Sequence, residues 1–278
     1  MFNYIITIHN KEDLLPRVLE GIAACCSKQS KIIPVLDGCT DHSEAIVDEF
    51  IATCGLNVEK VITPDVYEIR ALNAGMARVT EGFIMTIQDD LILQEPELEQ
   101  KVIALCAEVG PTIGMISPRH GANVRRTPFL RQLRQSGMVP LIDEYERVAR
   151  PEEAQALSER MDYGQVVYRM VAGGSPMIIP ESVWQTIGRM DDAMAPLMWH
   201  DHEYNLRALQ AGFRNVVFPL HFKSDIDWGT MRQKAKNNSW VSMVNEWTLS
   251  NRRYVWKKHG QFILSYLQKQ GKPTWAWM

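Results

Sequence analysis

Residues 83–90 read FIMTIQDD, in which a strand-forming run leads through Gln88 into two adjacent acids, Asp89 and Asp90. Aromatic and branched apolar residues in so short a run favour a buried strand, with the two carboxylates directly beyond its carboxyl end. Two like charges held together are unfavourable unless a cation neutralises them, and a hard divalent ion prefers carboxylate oxygens. The alternative is an ordinary turn or helix cap, where paired Asp residues are common.

Strand-like and helix-like segments alternate on the N-terminal side of this run. The strand patterns lie at 3–8, 31–36, 58–62 and 83–87, and helical patterns lie between them at 11–24, from Ser43 onward and at 68–79. This alternation requires crossover connections, so it predicts an α/β fold with a mostly parallel central sheet. Ligands of such sheets bind beyond the carboxyl ends of the strands. That rule selects His9-Asn10, Asp37-Gly38 and Gln88-Asp89-Asp90.

Composition excludes several classes of protein. The chain has 278 residues, 46% of them hydrophobic, and a formal net charge of −3. Disordered, collagen-like and coiled-coil proteins do not have this composition, and nucleic acid is not an expected partner of a chain without overall positive charge. No apolar run approaches the roughly 20 residues that span a bilayer, and no signal peptide is readable. The five cysteines are odd in number and lack CxxC spacing, which predicts reduced thiols in a cytoplasmic protein.

The C-terminal 50 residues differ from the rest of the chain. From Gly229 onward nine basic residues accompany one acid, Glu246, a net charge of +8, and six of the eight tryptophans lie at or beyond Trp228. The pattern predicts a mostly helical tail, broken near Gly260 and Gly271. Two interpretations are open. Basic and aromatic residues together suit an anionic membrane surface, whereas the same residues on a helix also suit packing against the preceding domain.

A second acidic cluster, His200-Asp201-His202-Glu203, precedes a helical pattern that ends at Gly212. Histidine and carboxylate at short spacing can bind zinc, but a third ligand at a suitable helix spacing is absent. The other interpretation is a carboxylate that accepts a proton in catalysis.

Four segments together resemble the family 2 glycosyltransferases, which use nucleotide sugars and have the GT-A fold. The segments, in chain order, are IITIHNKEDLLPRVLEGI at 5–22, VLDGCTDHSEAIVDEF at 35–50, RALNAGMARVTEGFIMTIQDD at 70–90 and GRMDDAMAPLMWHDHEYNLRALQAGFRNVVFP at 188–219. The resemblance implies a Rossmann-like, mostly parallel sheet flanked by helices, and an inverting transfer from a nucleotide sugar.

The resemblance also implies a set of residues that bind the donor. They are Thr7, His9, Asp37, Arg70, Asn73 and Asp89. The chain departs from the family pattern at three places: His9 stands where the family has tyrosine, Leu36 where it has the first acid of its Asp-Asp-Gly-Ser turn, and His200 where it has glutamate.

Metal and catalytic roles follow from the same resemblance. Asp90 is implied as a ligand of Mn²⁺ or Mg²⁺, with Asp89 nearer the ribose or sugar. His221, after the strand that ends in Phe218-Pro219, is implied as a further metal ligand, and a structural histidine is the alternative. Asp201, six residues before Arg207 as in the family motif, is implied as the catalytic base.

The resulting expectation is a GT-A catalytic domain at 1–228 followed by a basic, tryptophan-rich helical extension at 229–278. Within the domain, 1–117 would bind the nucleotide sugar and 118–228 would face the acceptor. The expected reaction transfers a sugar, with a UDP-sugar favoured, to a hydroxyl of a glycan or lipid-linked acceptor in cell-surface polysaccharide synthesis. The expected location is cytoplasmic, with peripheral contact at an anionic membrane surface. Two alternatives are a binding module of the same fold that has lost catalysis, and a nucleotidyltransferase.

Overall fold

The structure, a computed structural model, describes residues 1–125, 142–145, 166–224, 229 and 238–269. The strands in these ranges are β1 (Phe2–Ile8), β2 (Lys31–Asp37), β3 (Asn57–Val58), β4 (Val61–Thr63), β5 (Phe83–Gln88), β6 (Leu91–Leu93), β7 (Ile113–Ser117), β8 (His120–Arg125), β9 (Ile142–Tyr145), β10 (Val167–Tyr168), β11 (Val171–Gly173), β12 (Met177–Ile179), β13 (Arg214–Val217) and β14 (Phe222–Ser224). The helices are α1 (Leu15–Cys25), α2 (Ser43–Thr53), α3 (Tyr67–Met76), α4 (Leu98–Val109), α5 (Glu181–Ile187), α6 (His200–Gln210) and α7 (Asn238–Lys269).

A nine-stranded sheet forms the centre of the described part of the chain, in the order β10-β13-β7-β12-β5-β1-β2-β3, with β4 also paired to β2. β1 lies between β2 and β5 and is parallel to both, with Thr7 opposite Val35 on one side and Gln88 on the other. The direction reverses at β12, which is antiparallel to β5 and β7. The predicted mostly parallel α/β sheet is therefore confirmed.

Two smaller sheets lie beside the large one. One has the order β11-β8-β9, and the other is the antiparallel ribbon of β6 and β14. In that ribbon Leu91 pairs with Ser224 and Leu93 with Phe222. The ribbon begins directly after Asp89 and Asp90, so its position determines where the chain beyond the acidic pair runs.

The core occupies both faces of the large sheet because successive side chains of a strand point to opposite sides. In β1, Ile5 packs in one cluster while Tyr4 and Ile6 pack in the other. Leu15, Val18, Leu19 and Ile22 of α1 are buried at helical spacing, as expected for a helix that covers one face of a sheet.

The C-terminal helix α7 packs on the domain. Its buried side chains lie four or seven positions apart, the spacing of one helix face: Trp240, Val244, Asn251, Val255, His259 and Ile263. The predicted break near Gly260 is wrong, because α7 runs without interruption through that residue. The indole ring of Trp256 packs closely against Gly260: a Cβ at residue 260 would be only 3.1 Å from the ring. The predicted break at Gly271 lies outside the described ranges.

Although α7 has 32 residues, neither it nor another helix in the described ranges combines sufficient length with sufficient apolar character to span a membrane.

Candidate active site

Three of the predicted residues meet where adjacent parallel strands end. His9 follows β1, Asp37 ends β2 and Asp89 follows β5. The backbone amide of His9 donates to Asp89 Oδ2 at 2.9 Å, and His9 Nδ1 lies 2.7 Å from the carbonyl oxygen of Asp37. The carboxyl edge of the sheet thus carries one connected polar cluster.

Asp37 shapes the start of α3. Its Oδ1 accepts hydrogen bonds from Thr63 Oγ1 at 2.8 Å and from the amide of Val66 at 2.7 Å, and its Oδ2 accepts from the amide of Tyr67 at 2.8 Å. Tyr67 has a positive φ of 65°, unusual for a residue with a side chain. The carboxylate of Asp37 therefore stabilises the sharp entry into α3, beside the place where the resemblance puts the base.

The acidic pair has two distinct environments. Burial raises the pKa of Asp89 to about 6, although Lys11, whose Nζ is 3.5 Å from Oδ1, opposes this by favouring the charged form. In Asp90, Oδ1 is buried and has no hydrogen-bond partner among the residues that the structure describes. Such a desolvated, unpartnered carboxylate oxygen is a group that a hard cation would stabilise, so Asp90 fits a metal ligand.

Gly229 lies close to this pair. A Cβ at Gly229 would be 3.0 Å from Asp90 Oδ2, which is tighter than most Cβ contacts. A larger residue at this position would therefore require the Asp90 carboxylate to shift by a few tenths of an ångström.

A cavity of about 280 Å³ lies beside the strand ends. Its lining residues come from the sheet edge, from α3 and from the turn before α6: Thr7, Glu68, Leu72, Thr86, Ile87, Gln88, Arg119, Gly174, Ser175, Met177, Met198, Trp199, His200, Asp201 and His202. The cavity joins Thr7, predicted for the donor, to Asp201, predicted for catalysis.

Asp201 lies in the first turn of α6 and faces this cavity. Its Oδ1 accepts a hydrogen bond from the amide of His202 at 2.8 Å, and its Oδ2 accepts from the amide of Gly174 at 3.1 Å. The His202 Nδ1 also lies 2.8 Å from Oδ1, and the His202 ring packs 4.2 Å from the Trp199 ring. Backbone donors and the positive end of a helix stabilise a carboxylate, so Asp201 is held in a fixed orientation toward the cavity.

Three other predicted residues, Arg70, Asn73 and His221, are not among the residues that line this cavity. Arg70 is exposed on α3. Asn73 is buried, with Nδ2 donating to the Met190 carbonyl and to Asp192 Oδ1, so its two N–H groups are used within the protein. The carbonyl of His221 accepts from the amide of Gln94, beside the Leu93–Phe222 pair of the β6–β14 ribbon, whereas Asp90 precedes the Leu91–Ser224 pair.

Several residues of the site were not predicted. Lys11, which pairs with Asp89, could have been found from its place just beyond the first strand. A polar network in the cavity joins Gln88 Nε2 to Glu68 Oε1 at 2.7 Å and the Gln88 amide to Ser175 Oγ at 2.8 Å. Arg119 Nε donates to the Ser175 carbonyl at 2.6 Å. No sequence spacing connects these residues, since they are joined only across the sheet.

Comparison with known proteins identifies the family of this α/β chain. Residues 4–158, more than half of the chain, match the sequence profile described as glycosyl transferase family 2. The chain belongs to glycosyltransferase family 2. The resemblance that the four segments carried is thereby confirmed, and so is the GT-A fold.

A curated relative and two solved structures illustrate the similarity. The undecaprenyl-phosphate 4-deoxy-4-formamido-L-arabinose transferase of Klebsiella pneumoniae is 28% identical over 116 residues, which are 40% of this chain and 35% of the relative. The chain described here therefore spans about a third of the length of the Klebsiella relative.

The solved structures resemble the chain in fold. The mannosyltransferase PcManGT of Pyrobaculum calidifontis, in complex with GDP-Man and Mn²⁺, has a TM-score of 0.54 at 15% identity, over 78% of this chain and 54% of that one. GalNAc-T7 with UDP, GalNAc and Mn²⁺ has a TM-score of 0.60 at 13% identity, over 79% of this chain and 42% of that one.

Proposed function

We propose that this family 2 protein transfers a sugar from a nucleoside-diphosphate sugar, with a UDP-sugar favoured, to a hydroxyl group. The acceptor is a glycan or a lipid-linked molecule, and the process is cell-surface polysaccharide synthesis. The observation that carries the proposal is Asp201, whose carboxylate accepts from the Gly174 amide at the wall of a cavity that Gln88, the residue before the acidic pair, also lines.

The proposed chemistry inverts the anomeric carbon in one displacement. The acceptor oxygen forms a bond to the anomeric carbon while the bond from that carbon to the diphosphate oxygen breaks. Asp201 takes the hydroxyl proton as the bond forms, as a positioned general base does. Arg119, Trp199 and His200 line the same cavity and would contact the acceptor.

The donor would lie along the strand ends. Thr7 and Gln88 face the cavity, and His9 with Asp37 forms the adjoining part of the edge, where the base is expected. Because the amides of Val66 and Tyr67 bond to Asp37, a base beside Asp37 would lie against the start of α3. Asn73 is left out of this proposed donor site, because its amide is bonded to Met190 and Asp192, whereas Arg70, exposed on α3, stays a proposed donor residue.

Asp90, with its desolvated Oδ1, would hold a divalent cation, Mn²⁺ or Mg²⁺, next to Asp89. Such an ion neutralises the charge that develops on a leaving diphosphate. The two solved structures with Mn²⁺ and a nucleotide or nucleotide sugar support this assignment by their similar fold. His221, directly before the strand that pairs with β6, is proposed as a further ligand, as the family resemblance implies.

A lipid-linked acceptor would bring the protein to the inner face of the cell membrane as a peripheral protein of the cytoplasm. The Klebsiella relative is named for transfer to undecaprenyl phosphate, and α7 exposes Arg253 and Lys257, four residues apart on one helix face. These two cations are proposed as the contact with anionic lipid.

The test is nucleotide release. UDP released from a panel of UDP-sugars would be measured with Mn²⁺, with Mg²⁺ and with a chelator. We expect slow, metal-dependent release without acceptor and faster release with lipid-linked saccharides or glycan extracts, both of which present sugar hydroxyl groups. Tight donor binding without release under every condition would support the alternative of a non-catalytic binding module, for which the substitutions at His9 and His200 argue. Pyrophosphate release from a nucleoside triphosphate would instead indicate a nucleotidyltransferase.

A further inference from the structure

The turn that leads into α6 has an unfavourable backbone conformation. Met198 and Trp199 have φ angles of 78° and 66°, in the left-handed region that residues with side chains rarely adopt. Asp201 follows two residues later, so the conformation of this turn sets the position of its carboxylate. Two consecutive residues of this kind persist only where surrounding contacts hold them.

A single buried side chain of α7 provides such contacts. Asn251 is 5% exposed, and its Nδ2 lies 2.8 Å from the carbonyl oxygen of Met194, 3.0 Å from that of Leu197 and 2.9 Å from that of Met198. The two N–H groups of this amide are thus shared among three backbone carbonyl groups around the turn.

The next residue of α7 contacts the same turn from another side. The guanidinium carbon of Arg252 is 5.0 Å from the centre of the Trp199 ring, within cation–π range. Trp199 in turn packs on His202, whose amide donates to Asp201. A chain of contacts therefore runs from α7 to the carboxylate.

The position of α7 itself is secured on both sides of the turn. Tyr254 OH donates to Asp191 Oδ2 at 2.7 Å, before the turn, and His259 Nε2 lies 3.1 Å from Glu203 Oε1, after it. These two contacts therefore fix the position of Asn251 relative to the three carbonyl groups.

We propose that Asn251 is a positioning residue for Asp201: by bonding the carbonyl groups of Met194, Leu197 and Met198, it holds the strained turn in the conformation that presents the base to the cavity. The inference rests on the proposed function, since it assigns Asp201 the role of base. It gives the C-terminal helix a part in catalysis although no residue of α7 lines the cavity.

The experiment compares Asn251→Ala with Ile263→Ala. Ile263 is 1% exposed on the same helix and lies about three helical turns beyond Asn251, so its truncation also loosens α7 but leaves the Asn251 amide in place. Both variants would be purified at full length and their melting temperatures measured. We expect Asn251→Ala to lower kcat about 10-fold to 100-fold, the usual effect of displacing a catalytic group by about an ångström, with KM for the donor unchanged. Ile263→Ala should keep kcat within about 2-fold of wild type.

A second readout does not depend on activity. Hydrogen exchange followed by mass spectrometry would report peptides covering residues 197–205. Faster exchange there in Asn251→Ala, and wild-type exchange in Ile263→Ala, supports the proposal. Equal exchange in the two variants, or kcat losses that follow the melting temperature alone, overturns it. If wild type transfers no sugar, the proposed function fails, and the exchange data still decide whether Asn251 holds the turn.

Discussion

Lys258 of α7 lies 2.8 Å from Glu203 of α6, measured between Nζ and Oε1, and 2.6 Å from Asp191 Oδ2. Glu203 is fully buried, and Arg207 Nε also contacts it at 2.9 Å. Lys257, the preceding residue, is exposed. Of these two adjacent lysines, Lys258 therefore joins α7 to Glu203 of α6 and to Asp191, while Lys257 faces solvent.

The first prediction concerns stability. Lys258→Ala should lower the free energy of unfolding by about 2 kcal/mol, because hydrogen bonds to charged groups are lost and a buried carboxylate keeps fewer partners. Lys257→Ala, the matched control, should change it by no more than about 0.5 kcal/mol. Urea unfolding followed by circular dichroism measures both. Equal effects of the two substitutions would contradict the assigned ion pairs.

The second prediction is a pH dependence. Burial alone would raise the pKa of Asp191, but hydrogen bonds from Lys258 and Tyr254 outweigh it and lower the pKa from 3.8 to about 2. A depressed folded-state pKa adds stability above the unfolded value, and this stability is lost as the pH falls through the folded value. The destabilisation by Lys258→Ala should therefore shrink between pH 4 and pH 2. Urea midpoints at each pH measure it, and a difference that stays constant would argue against the pair.

The third prediction concerns the metal. Asp90→Ala should reduce donor affinity in the presence of Mn²⁺ to the value that wild type has without the ion, because the diphosphate would then face an acidic site without a bridging cation. Titration calorimetry with UDP, with and without Mn²⁺, measures this. Asp13→Ala removes an exposed acid beyond β1 and should behave as wild type. Unchanged metal dependence in Asp90→Ala would show that this residue is not a ligand.

The fourth prediction concerns the base. Asp201→Asn keeps the shape of the side chain but cannot accept the proton, so turnover should fall about 10²-fold to 10⁴-fold while donor affinity is retained. Asp48→Asn, on the exposed face of α2, is the control for the same chemical change. Steady-state kinetics and UDP titration separate the two effects. Parallel losses of affinity and turnover would place Asp201 in the donor site.

The fifth prediction concerns the membrane. The protein should sediment with anionic vesicles and dissociate as salt rises, because charges more than about 8 Å apart are screened at physiological ionic strength. The double substitution Arg253→Ala with Lys257→Ala should weaken sedimentation, whereas Gln261→Ala, an exposed neutral residue on the same helix face, should not. Absence of binding to phosphatidylglycerol vesicles, with activity retained on a soluble acceptor, would exclude this contact.

The sequence by itself determined the parallel part of the fold and the composition of the acidic edge. Short β-rich runs alternate with helical patterns, and the residues of each run are enough to predict a strand there. The residues after β1, β2 and β5 could be placed together because parallel neighbouring strands end on the same side of a sheet. The position of Asp201 relative to Arg207 is also local, since both lie on α6.

Tertiary structure alone decided which residues of those segments are available to a ligand. Asn73 lies in a family motif, yet its amide is bonded to Met190 and Asp192, more than 100 residues away. Lys257 and Lys258 are adjacent residues of the same type, and only the packing of α7 against α6 determines which of them pairs with Glu203. The bonds from Asn251 to the turn before α6 likewise join residues about 55 positions apart. Such contacts depend on how distant segments pack, and a pattern of neighbouring residues carries no record of that packing.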